Sequence, residues 1–86
     1  MYNGKYYNLH EYLAKKKNEV SRLTLTLSEM EEIVGFKLPQ SAYVYPAWWA
    51  NENKGSHTHA RSWLLAGWKT AEVKPGNQVT FFYYGN

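Results

Sequence analysis

The chain has no cysteine and no aspartate, and each absence removes a class of chemistry. Without cysteine there is no disulfide framework, no thiolate zinc site and no thiol nucleophile, which fits a reducing, cytoplasmic setting. Without aspartate, glutamate is the only side-chain carboxylate for general acid or base work. Long apolar runs are also missing. Nothing approaches the ~18 residues of a membrane span, and Met1-Tyr2-Asn3-Gly4-Lys5 has no apolar core of a secretion signal. Ser21, Ser28, Ser41, Ser56 and Ser62 lie in no Gly-x-Ser-x-Gly elbow, and no glycine-rich phosphate loop occurs. The expectation is a protein that is not an enzyme, carries no cofactor and enters no membrane.

What is present is aromatic. Four Trp, eight Tyr and three Phe make up 17% of 86 residues. A chain this short buries only about 60% of its unfolded surface, and rings that each bury on the order of 150–250 Å² offset that handicap. Residues 1–86 are expected to form one domain with no covalent staple.

Along the chain, Tyr6, Leu9, Tyr12 and Leu13 recur at helical spacing. They predict an amphipathic helix over residues 5–17, with Lys15, Lys16 and Lys17 suited to the negative end of its dipole. Arg22 to Leu27 alternates leucine with polar residues and reads as a half-buried strand. Ser28-Glu29-Met30-Glu31 has the form of a capping box opening a helix that Gly35 ends. The acids of that helix, Glu29, Glu31 and Glu32, suit its positive end better than they suit catalysis.

Leu38-Pro39-Gln40-Ser41-Ala42 allows one helical turn to about Tyr43, and Ala47-Trp48-Trp49-Ala50 reads as a short extended or buried segment with one indole inside and one near the surface. Ser56 is placed to cap a helix from His57 to about Ala66, with Ala60, Trp63, Leu64 and Gly67 inward and Thr58, Arg61, Ser62 and Leu65 outward. Lys69–Lys74 and Gln78–Tyr84 form a hairpin about Pro75-Gly76. Tyr83 and Tyr84, on an expected edge strand, offer pairing to a second chain, so the state expected is a monomer or a weak homodimer. The fold class is α+β: about three helices packed on a small antiparallel sheet with a C-terminal β-hairpin.

The formal charge of +3 is unevenly placed. Up to Phe36 five bases and five acids cancel, whereas from Lys37 onward five bases face two acids. Nucleic-acid binding is therefore the leading expectation, DNA favoured, with Lys54, Thr58, His59, Arg61, Ser62 and Lys69 about the last helix and Lys74 and Asn77 at the hairpin tip as contacts to phosphate and base. Trp48 and Trp49 are candidates to stack on an unpaired or flipped base. The competing reading is a protein-interaction module, an inhibitor or adaptor, since Tyr, Trp and Arg dominate interface hot spots. His57-Thr58-His59 has a metal-like look, but His10 and glutamates are the only further ligands, and positions i and i+2 diverge on a helix. No metal site is expected.

Two resemblances follow from these residues. The order helix, strand, helix, helix and two-stranded wing is similar to winged helix-turn-helix domains. The run Thr24-Leu25-Thr26-Leu27-Ser28-Glu29-Met30-Glu31-Glu32-Ile33-Val34-Gly35 resembles their strand and second helix, which implies a winged-helix-like fold. Leu38-Pro39-x-Ser41-Ala42, Ala47-Trp48-Trp49-Ala50-Asn51, Ala60-Arg61-Ser62-Trp63-Leu64-x-Ala66-Gly67-Trp68 and Val79-Thr80-Phe81 look like the pattern of a family of small bacterial and phage domains of unknown function. That second resemblance implies one domain of prokaryotic type and carries no activity with it.

Overall fold

A computed structural model of the chain describes residues 4–52 and 58–85. Its elements run α1 (Tyr7–Lys16), β1 (Arg22–Thr26), α2 (Leu27–Val34), α3 (Gln40–Val44), a 3₁₀ turn over Pro46–Trp49, a second over Thr58–Ala60, α4 (Arg61–Leu64), β2 (Trp68–Lys74) and β3 (Gln78–Tyr83). The strands form one antiparallel sheet in the order β1-β3-β2. The class is α+β, with four α-helices among the described residues because the turn after Pro39 is itself helical.

Local chemistry accounts for most boundaries. Leu9 and Leu13 give α1 its buried stripe. The capping box of α2 sits two residues before the expected one: the Thr26 hydroxyl accepts from the Glu29 amide, and the Glu29 carboxylate accepts from the Thr26 amide. Thr26 ends β1 with extended backbone, the conformation a cap requires, so Leu27 is already helical and buried, and Ser28 is an exposed residue of the first turn instead of the cap. Gly35, at φ 86, ends α2 and returns its N–H to Glu31 O. In the hairpin turn, Asn77 N–H reaches Lys74 O at 2.9 Å, and Gly76 holds φ 73.

Two expected elements differ. Residues 46–49 wind into a 3₁₀ turn led by Pro46 instead of running extended. Three residues per turn still point adjacent side chains apart, so Trp49 is buried and Trp48 half-buried. The helix drawn from His57 to Ala66 is a 3₁₀ turn followed by a single α turn, Arg61–Leu64, and its expected start at Ser56 and His57 lies outside the described residues.

Trp49, Trp63, Trp68 and Phe81 form the centre of the core. Each buried indole N–H has an acceptor: Trp49 donates to Ala42 O at 2.9 Å, Trp63 to Asn51 Oδ1 at 3.0 Å, and Trp68 to Leu13 O at 2.9 Å. These bonds tie α3, the segment before residue 53, and α1 to the rings. The helices cover one sheet face, where Leu25, Val79, Phe81 and Trp68 are buried. β3 lies in the middle of the sheet, so Tyr83 is not on an edge and offers no free ladder to a second chain.

Candidate functional site

The residues expected to bind nucleic acid fall into three places. Arg61 and Thr58 are exposed on the last helical segment, and Lys69 is half-buried just after it. Lys74 and Asn77 are exposed at the hairpin turn; Lys74 ends β2 five residues beyond Lys69 and is therefore about 16 Å from it. Lys54 lies outside the described residues.

The hairpin turn rests against the body of the domain. Asn77 O accepts from Leu27 N–H at 3.0 Å, and a Cβ built on Gly76 would sit 3.6 Å from Tyr43 O. Its backbone is thus tied to the start of α2 and faces α3.

Two expected contacts, Ser62 and Trp49, are corrected by burial, and two more, His59 and Trp48, are engaged with each other. Ser62, assigned to the outward face, has no exposed surface; its hydroxyl donates to His59 O at 2.7 Å, and its carbonyl accepts from His10 Nδ1 at 3.2 Å. α1 packs against α4 at this position, and the bond from His10 of α1 holds Ser62 on the covered side. Trp49 is 1% exposed and packs on Trp63, so it has no face for a base. His59 stacks flat on Trp48, ring centroids 3.8 Å apart, while its Nε2 donates to Trp48 O at 2.6 Å. With Trp49 and Tyr6 edge-on to it, Trp48 has one ring face occupied by His59 and contributes chiefly to packing.

What gathers around Arg61 instead is a set of residues that helical and strand periodicity did not join. Arg61, Leu64, Leu65 and Tyr84 line an open recess of about 420 Å³. Tyr84 reaches it because its backbone N–H bonds Gly67 O at 2.9 Å, folding the chain after β3 over the end of α4; its hydroxyl donates to Leu64 O at 3.3 Å. Lys69 Nζ lies 4.7 Å from the Tyr84 ring centroid, within cation–π range. Tyr84 and Leu65 are exposed. Period two in β3 was the available signal for Tyr84, since it places residues 82 and 84 opposite the core residues 79, 81 and 83.

Other polar clusters are structural. Glu31 Oε2 accepts from Tyr43 Oη and from Leu38 N–H at 2.8 Å, which closes the connection between α2 and α3. The Tyr43 hydroxyl, then the Leu38 amide, hold the Glu31 carboxyl below its usual range, and the same bond raises Tyr43. Among the described residues no three His, Cys, Asp or Glu side chains gather where a metal ion could sit, and no helix is long and apolar enough to cross a membrane.

The molecule is a small α+β domain whose open recess joins an arginine, two leucines and an exposed tyrosine, with a lysine over the tyrosine ring. It belongs to a family of domains of unknown function (DUF7662), whose model matches residues 6–85. No curated protein and no solved structure matches the chain.

Proposed function

We propose that the domain binds nucleic acid and is not an enzyme, with Arg61, Lys69, Tyr84 and Thr58 at the working surface. The observation that carries this reading is Tyr84, exposed between the recess lined by Arg61 and the ammonium of Lys69. Cations that meet phosphates beside a ring able to stack on a base are the two components of nucleic-acid recognition without a deep pocket. Lys74 and Asn77 extend the polar track along β2 toward the hairpin turn and supply backbone contacts. The order α1, β1, α2, then α4 ahead of the β2–β3 hairpin, with α3 and two 3₁₀ turns inserted, supports a winged-helix-like relationship, with a recognition segment reduced to one α turn. DNA is the favoured partner.

Binding of a labelled oligonucleotide should weaken steeply with salt. Arg61→Ala and Lys69→Ala should each lower affinity and reduce the slope of log K against log salt by about 0.7–0.9, while the thermal unfolding midpoint stays near that of the parent. Absence of binding to any single- or double-stranded DNA or RNA at low salt would overturn the reading.

A second reading, a protein-interaction module, is favoured by one feature. Leu65 and Tyr84 are exposed side by side with Arg61, the mixture of apolar, aromatic and arginine groups found in interface hot spots. Salt-tolerant association with a protein, abolished by Leu65→Asp and indifferent to Lys69→Ala, would support it against the first.

A further inference from the structure

Among the described residues, helices pack on the sheet face of Leu25, Val79 and Phe81, and the register defines what the other face presents, where Thr80 is buried at the centre. Arg22 of β1, Phe82 of β3 and Lys69 of β2 stand directly opposite one another. Strands about 4.8 Å apart therefore put a basic residue on the strand to either side of Phe82. Arg22 is exposed and Phe82 half-buried. Two residues beyond Phe82, Tyr84 carries Lys69 over its ring and borders the recess lined by Arg61. Arg22, Phe82, Lys69, Tyr84 and Arg61 thus form a continuous strip in which cations alternate with aromatic rings.

We propose that this strip binds an unpaired nucleic-acid strand, with bases stacking on Phe82 and Tyr84 and phosphates meeting Arg22, Lys69 and Arg61. This deepens the nucleic-acid reading above and rests on it. Three features select an unpaired strand over a duplex. α4 is four residues long, too short to run along a major groove that accepts a whole helix. The hairpin turn is tied at its backbone to Leu27, so no ribbon projects to enter a groove. A sheet face that carries the half-buried ring of Phe82, with the exposed ring of Tyr84 at its end, by contrast offers platforms to bases that are splayed out and unstacked.

The charge on the face is complementary to such a strand. Arg22, Lys69 and Lys74 point outward against one acid of the same face, Glu72. Glu29, at the corner by Thr26, is already bonded to the Thr26 amide. The middle of the face is neutral: Thr24 and Thr80 share a hydroxyl hydrogen bond of 2.8 Å.

The test is fluorescence anisotropy with a short fluorescein-labelled single strand of mixed sequence and with the duplex made from it. The parent should bind the single strand roughly tenfold or more tightly than the duplex. Phe82→Leu, which keeps an apolar strand residue but removes the ring, should weaken single-strand binding roughly tenfold, within the range for one lost base stack. Arg22→Ala should weaken it with a smaller salt slope. Tyr84→Leu lies beyond the end of β3 and keeps the test decisive if Phe82→Leu impairs folding. Lys17→Ala, at the end of α1, should leave binding unchanged. Duplex binding as tight as single-strand binding, with Arg22→Ala and Phe82→Leu both unaffected, would overturn this inference and leave the nucleic-acid reading in place. Failure to bind either probe, or binding only to an acidic protein, would overturn both.

Discussion

Asn51 ties together parts of the chain that local sequence does not connect. Its Oδ1 accepts from Thr70 N–H at 2.9 Å, from Trp63 Nε1 at 3.0 Å and from Thr70 Oγ1 at 3.1 Å, while its Nδ2 donates to Thr70 O at 3.0 Å. The side-chain amide thereby occupies the outer backbone groups of an edge strand and also satisfies a buried indole. Asn51→Ala should lower unfolding free energy by about 1–2 kcal/mol, chiefly through the unpartnered Trp63 N–H, as read by urea denaturation. Asn51→Asp keeps the acceptor, loses the donor to Thr70 O, and should fall between the two. At Glu31 the expected effect is on pH dependence. Its carboxyl titrates lower in the folded chain than in the unfolded one, because Tyr43 and Leu38 donate to the charged form. Its contribution is therefore complete above the ordinary glutamate value of about 4.3 and is lost as pH falls through the folded value. Thermal melts between neutral and acid pH should show this fall in the parent, and Glu31→Gln and Tyr43→Phe should flatten it. An unchanged profile in both variants would refute the assignment.

At the scale of elements, the cap of α2 separates a sequence motif from the residue that uses it. Two overlapping boxes, Thr26 with Glu29 and Ser28 with Glu31, are both present in the sequence, and only the first is formed. The choice follows from burial: starting the helix at Leu27 places Leu27, Met30 and Val34 inward together, and Glu31 is then occupied by Tyr43 and Leu38. Thr26→Ala should cost about 1 kcal/mol, whereas Ser28→Ala, on an exposed helical position, should cost under about 0.5 kcal/mol. Equal effects in denaturant melts would contradict the assignment. The elements legible in the sequence, α1, β1, the end of α2 at Gly35 and the hairpin turn, are those specified by contacts within a few residues. The segments whose winding differs from the expectation, residues 46–49 and 58–64, take it from what they pack against. Pro46 opens one, and the other places Ala60, Ser62 and Trp63 in the interior.

At the scale of the whole molecule, folding redistributes charge. In the sequence, Arg22 belongs to the part of the chain whose bases and acids cancel, yet pairing of β1 with β3 places it in one row with Lys69. The candidate surface is therefore not the stretch of highest net charge; it is the sheet face opposite the one on which, among the described residues, Trp68 and Phe81 pack with the helices. Of the residues proposed from sequence, Arg61, Lys69 and Thr58 stay at or near the surface in one region, Lys74 and Asn77 lie toward the far end of β2, and Ser62 and Trp49 go inside. Tyr84, Phe82 and Arg22 join through register alone. By itself the sequence determined an aromatic-rich α+β domain, the ends of several elements and the absence of thiol chemistry, because composition, periodicity, capping and turn preference act over short chain distances. Only the tertiary structure decided that β3 is central, that Ser62 is buried and that cations and rings from distant segments share one face. Strand order and side-chain burial depend on which long-range pairing encloses the most apolar surface, and no short stretch of sequence carries that information.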